Sequence, residues 1–115
     1  MALKTADMHL PIKKHGKFTI LSAGKDLSLC SDEHRMIDAL ALLVEDNQVR
    51  YLCVDLSRAA VIDSSVIGAI VECHKRIAAD GGELVILSAR NLVLEALIRT
   101  QIDRVIRFVE NEAQL

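Results

Sequence analysis

The sequence predicts an α/β fold in which helices pack on a mixed sheet of four to five strands. Three observations carry this reading. Two apolar runs, residues 51–56 and 83–88, have the length of strands and the near-continuous hydrophobicity of strands covered on both faces. Segments with helical periodicity alternate with them, which implies parallel pairs joined by right-handed crossovers. The chain also opens with two short strand-like segments around a glycine, a hairpin that makes the sheet mixed. The predicted order is β-β-α-β-α-β-α-β.

Each element has its own signal. Residues 9–14 and 18–24 form the hairpin, with the turn at His15 and Gly16 and with Phe18, Ile20 and Leu21 facing inward. Pro11 marks the first strand as an edge, and Lys13, Lys14 and Lys17 protect that edge from pairing with other chains. Residues 31–47 are the first helix. Ser31 or Asp32 caps it, Asp32 and Glu33 suit its positive end, and Asn47 closes it. Met36, Ile37, Leu40, Leu43 and Val44 recur along it at helical spacing. Residues 49–57 are a buried strand, and 58–62 lead to a polar triplet, Asp63, Ser64 and Ser65. Residues 66–79 are a helix stopped by Gly81 and Gly82. After the strand at 83–88, Asn91 caps a helix over 92–101, and 104–110 is a last short strand. At 115 residues, without a repeat, low-complexity segment or linker, residues 1–115 read as a single domain.

Composition narrows the function. Hydrophobic residues make up 51% and aromatics only 3%, with no Trp, so the core is aliphatic and no base-stacking platform is available. The net charge is −2 with both signs interspersed, so no nucleic-acid partner is expected. Cys30, Cys53 and Cys73 are odd in number, widely spaced and free of any C-x-x-C pattern. They read as buried free thiols of a cytoplasmic protein. Neither a transmembrane-length apolar run nor a signal peptide is present, so no membrane partner is expected.

No conventional catalytic constellation stands out. His9, His15, His34 and His74 lack metal-ligand spacing, and neither a phosphate-binding glycine loop nor a nucleophile elbow occurs. His74, at the edge of an apolar helix face, reads as a satisfied, half-buried residue. Ser65 or a cysteine as nucleophile would lack a base and an oxyanion partner. The expectation is a non-enzyme without cofactor or metal.

The triplet remains. Capping by Asp63 or Ser64 satisfies the first N–H groups of the following helix, but it needs only one of these residues. At about 100° per residue, Val66, Ile67, Ile70, Val71, Cys73, Ile77 and Ala78 share an apolar face. Gly68, Glu72, Lys75, Arg76 and Ala79 lie opposite. Ser65 falls on that solvent side and Ser64 at the boundary. A phosphate on Ser65 would add roughly −1.5 to −2 charges beside Asp63, within reach of helix N-terminal N–H groups. An acidic or apolar partner surface would then be rejected, while Gly68 keeps the same face flat for a partner backbone.

Residues 49–110, with "VRYLCVDLS", "VIDSSVIGAI" and "GGELVILS" in that order, resemble the body of a STAS domain. The resemblance is to the bacterial anti-sigma factor antagonists in particular. It implies the STAS fold and a partner-switching function. The unphosphorylated protein would bind an anti-sigma factor that is also a GHKL-type serine kinase, be released by phosphorylation at Ser65, and be reset by a PP2C-type phosphatase. Ser64 is the alternative acceptor. Asp63, Ser64, Ser65, Val66, Gly68 and Glu72 would form the binding surface. The alternative is a non-switching STAS scaffold or adaptor of a stressosome-like or lipid-transport complex, whose serines only cap. The chain departs from the family pattern at Val66, where glycine is usual, at Asp26, one place early in the "G-x-L-D" segment, and at Gln101, the middle of a "T-G-L" segment.

Overall fold

A computed structural model of the chain describes residues 10–24, 26–27, 31–46 and 48–115. Strands β1 (Ile12–His15) and β2 (Phe18–Ser22) pair antiparallel, with His15 opposite Phe18. The two-residue turn is therefore Gly16 and Lys17, one place later than expected. Gly16 has φ +60, a conformation glycine adopts without steric cost. Pro11 precedes β1, and its carbonyl accepts from the Ser22 N–H at 3.0 Å. A two-residue strand, β3 (Asp26–Leu27), follows, then α1 (Ser31–Ala41), which runs into a π turn at Leu42–Asp46. One regular helix was expected over the whole stretch. The proposed end at Asn47 and Cys30 both lie outside the described residues, as do the side chains of Ser31 and Asp32.

Next come β4 (Tyr51–Asp55), β5 (Val61–Ile62), α2 (Ser64–Ala79) and β6 (Glu83–Leu87). Last are α3 (Asn91–Arg99), a 3-10 turn at Ile102–Arg104, β7 (Arg107–Val109) and a 3-10 turn at Glu112–Gln114. The main sheet has the order β1-β2-β4-β6-β7, parallel except for β1. A second sheet pairs β3 with β5 in parallel. Two-residue strands carry no periodicity, which is why the sequence did not reveal that pair.

The register sorts the core by the two-residue alternation of strands. Leu21, Val54 and Ile86 align across β2, β4 and β6 and join the core under the helices, with Met36, Leu40, Ile70 and Leu97. The intervening row, Ile20, Cys53 and Val85, faces the other way and packs with Phe18, Leu87 and Val109. Leu115 packs on that second face, and Glu112 crosses to β1, where it pairs with Lys13 at 2.6 Å.

Two helix ends differ from each other. α2 stops in a Schellman arrangement, with Gly82 N–H donating to the Ile77 carbonyl at 2.9 Å and Gly81 N–H to the Ala78 carbonyl at 3.1 Å. Gly81 has φ +81, and a Cβ on Gly82 would lie 1.8 Å from the Arg50 carbonyl oxygen, so neither position readily takes a side chain. Beyond α3, Gln101 holds φ +64, the left-handed region. The resemblance places glycine there, and the backbone gives the reason.

Candidate functional site

Strand β4 delivers the chain to the site through Asp55. Its carboxylate accepts from the Ser57 N–H at 2.9 Å and from the Ser22 hydroxyl at 3.2 Å, tying the ends of two strands together. β5 then sets the start of α2. Asp63 takes an extended conformation, φ −93 and ψ 156, as an N-cap residue does. Its Oδ1 accepts from the Ser65 N–H at 3.1 Å, the Ser64 hydroxyl at 3.2 Å and the Ser65 hydroxyl at 3.4 Å. Its carbonyl accepts from Val66 and Ile67 N–H, both at 3.1 Å. The Ser65 N–H is the largest reason that the Asp63 carboxyl is held below its ordinary pKa, with the two hydroxyls adding to it. Asp63 is thus an anion at neutral pH.

The cap is Asp63, so both hydroxyls are surplus to capping. Ser65 is exposed as the wheel placed it, and Ser64 is exposed too rather than at the boundary. Gly68 and Glu72 continue the exposed stripe one and two turns on. A Cβ on Gly68 would meet no atom within 4 Å, so packing does not require glycine there.

Val66 is a correction to the expected binding surface. Its side chain is 0% exposed and sits in the core with Ile70 and Ile77. The extra bulk relative to glycine points inward and anchors the first turn. Ala78, expected on the apolar face, is exposed at the last turn. Where an anion on Ser65 would rest also changes. The Ser65 N–H is already bonded to Asp63, so a phosphate would compete with a neighbouring carboxylate for it.

The remaining reactive groups are quiet. Cys53 and Cys73 are buried and free, and burial pushes their thiols up to about 12 and about 11, so both are protonated and poor nucleophiles at neutral pH. His74 is half-buried, but its buried Nδ1 has no hydrogen-bond partner among the described residues, contrary to the expectation of a satisfied ring. Asn91 does not act as the expected cap. Arg90 occupies that position without a side-chain cap bond, and Asn91 takes φ +52. Among the described residues, no group of three or more His, Cys, Asp or Glu is placed to hold a metal ion. No helix of the described residues is long and apolar enough to cross a membrane.

Sequence reasoning missed two features near α2 and α3. A cleft of about 230 Å³ lies between α1 and α2, beside the Ser65 stripe. A larger cavity, about 630 Å³, lies at the start of α3 among Ser88, Arg90, Asn91 and Phe108. It contains no residue of the triplet. The hydroxyls of Ser64 and Ser65 therefore stand on open helix surface, which suits modification and docking better than enclosed chemistry.

Comparison with known proteins agrees with this architecture. A STAS domain family model matches residues 9–115. A STAS-domain anti-sigma factor antagonist from Planctomyces limnophilus superimposes with TM-score 0.77 at 20% identity, over 91% of this chain and 92% of that one. An anti-sigma factor antagonist from Mycobacterium paratuberculosis gives TM-score 0.76 at 12% identity, over 89% and 85%. The Bacillus cell-fate determinant SpoIIAA in its phosphorylated form gives 0.67 at 11% identity, over 91% and 95%. No curated protein sequence matches the chain. A family model that spans the whole described fold, with a five-stranded mixed sheet in the same architecture, decides the matter: this chain belongs to the STAS domain family.

Proposed function

We propose that this protein is a partner-switching regulator of the anti-sigma factor antagonist type, with Ser65 as its phosphoacceptor. It acts in the cytoplasm. Unphosphorylated, it binds a GHKL-type serine kinase that doubles as an anti-sigma factor. Phosphorylation of Ser65 releases it, and a PP2C-type phosphatase resets it. The binding surface is Asp63, Ser64, Ser65, Gly68 and Glu72.

One observation carries the reading. Asp63 caps α2, and two exposed hydroxyls remain on the first turn of a rigidly anchored helix. A phosphate on Ser65 would put a second anion at the Asp63 carboxylate without disturbing the core, so the change is confined to the docking face. The existence of a phosphorylated relative of the same fold supports it.

The test is phosphosite mapping and intact mass of the protein from cells, with and without the GHKL-type kinase encoded nearest its gene. We expect one phosphate, on Ser65, that depends on the kinase. Ser65→Ala should stay bound to that kinase, and Ser65→Asp should bind at least about tenfold more weakly. A phosphate on Ser64 would move the switch by one residue. Parent-like binding by both variants would remove Ser65 from the mechanism.

A further inference from the structure

The cleft between α1 and α2 extends the Ser65 stripe. Its walls are Ile37, Leu40, Ala41 and Val44 on one side and Ala69 and Cys73 on the other. Ala69 is one turn beyond Ser65, about 6 Å along the axis, so cleft and hydroxyl belong to one continuous surface. The α1 wall ends in the π turn at Leu42–Asp46, a distortion that concentrates at functional sites. On the helix Ala69 follows Ser65 by about 40° and Cys73 by about 80°, so the α2 wall of the cleft begins directly beside the hydroxyl, while Gly68 lies on the other flank of Ser65.

The charges around the cleft are already paired. Glu45 bonds Arg76 across its mouth at 2.7 Å, and Glu72 lies 3.8 Å from Lys75. A charged group entering here would have to break one of these pairs or lose water without a partner. An uncharged apolar group meets neither cost. The volume, about 230 Å³, exceeds the roughly 150 Å³ that takes a benzene ring, so one large side chain fits.

We propose that this cleft receives an aliphatic or aromatic side chain of the kinase that docks on Ser65. This rests on the partner-switching reading. The charge pairing argues for that occupant, as does continuity with the Ser65 face. It also gives the switch a physical basis. A phosphate one turn from the inserted side chain would be forced out of water by the same contact that makes the complex.

The experiment is a titration of the isotope-labelled unphosphorylated protein with the GHKL-type kinase encoded nearest its gene, followed by backbone amide shifts. Changes in residues 37–45 of α1 and its π turn, together with 65–76 of α2, are expected. Changes confined to 63–68 would overturn the proposal. In parallel, Ala69→Leu and Ala41→Met fill the cleft from its two sides and should each weaken kinase binding at least about tenfold, with melting and amide spectra confirming the fold. Should either variant fail to fold, the parent titration decides. Loss of binding in Ser65→Asp with parent-like binding by both filled variants overturns the cleft and leaves the Ser65 reading standing. Absence of both kinase binding and Ser65 phosphate overturns the reading, and the cleft with it.

Discussion

Helices α2 and α3 each follow a parallel strand, yet their first turns are built differently. α2 begins on an aspartate whose carboxylate and carbonyl together occupy the N–H groups of residues 65, 66 and 67. Its third and fourth residues, Val66 and Ile67, are already buried. α3 begins on Arg90, which makes no side-chain cap bond, and on Asn91 in the left-handed region, with Leu92 61% exposed. The larger cavity lies at the looser end. Cavity size and chemical endowment therefore point to different places. The tightly held turn is the one that carries two exposed hydroxyls, both donating to the capping carboxylate.

The largest effect expected from breaking this contrast is at Val66. Replacing it with glycine, the residue usual in the family, removes a fully buried side chain worth about 1.5–3 kcal/mol and adds roughly 0.5–1 kcal/mol of backbone entropy cost. Val66→Gly should destabilise the protein by about 2–4 kcal/mol in urea denaturation. Leu92→Gly, near the start of α3 but exposed, should cost only about 1 kcal/mol. Equal losses at the two sites would mean that α2 is not anchored more firmly than α3.

A smaller effect is expected at the caps. Asp63→Ala should lower the melting midpoint by roughly a few degrees, whereas Arg90→Ala should leave it nearly unchanged because no cap bond is lost. The Asp63 effect should depend on pH. Its carboxyl is held below its ordinary pKa in the folded protein, so its contribution is complete above the unfolded aspartate value. That contribution is lost as pH falls through the lower folded value. Parent and Asp63→Ala should thus converge in acid, and a gap that persists there would assign the loss to something other than the ionised cap.

How much of this was legible in the sequence follows from the physics of each element. Buried strands such as 51–55 and 83–87 were readable because both faces are covered, which leaves continuous apolar runs. The exposure of Ser65 followed from the 100° wheel because α2 is long and regular. What the sequence hid has no period. The β3–β5 pair is two residues long, the π turn breaks the helical spacing that would reveal it, and the cleft arises from two helices distant in the chain. Val66 shows the limit of motif comparison. Its place beside Ser65 suggested a surface role, whereas the helix turns its side chain by about 100° into the core.

The smallest effect is also the sharpest separation of stability from function. α2 carries a glycine in its interior, and α3 has none from Asn91 to Arg99. Nothing within 4 Å would meet a Cβ at Gly68, and its φ is not in the left-handed region. Gly68→Ala should therefore stabilise the protein by about 0.5–1 kcal/mol through the entropy of the unfolded chain. If Gly68 is kept for the fold, that gain should be missing. If it is kept for a partner whose backbone approaches on the flank of Ser65 away from the cleft, the variant should melt higher and bind the kinase more weakly. A methyl group projecting from an otherwise bare helix surface holds that backbone away without touching the Ser65 hydroxyl. A variant more stable and equally tight in binding would show that the bare surface at Gly68 is not part of the docking face, which would then lie on the capped turn and on the flank of Ser65 toward the cleft.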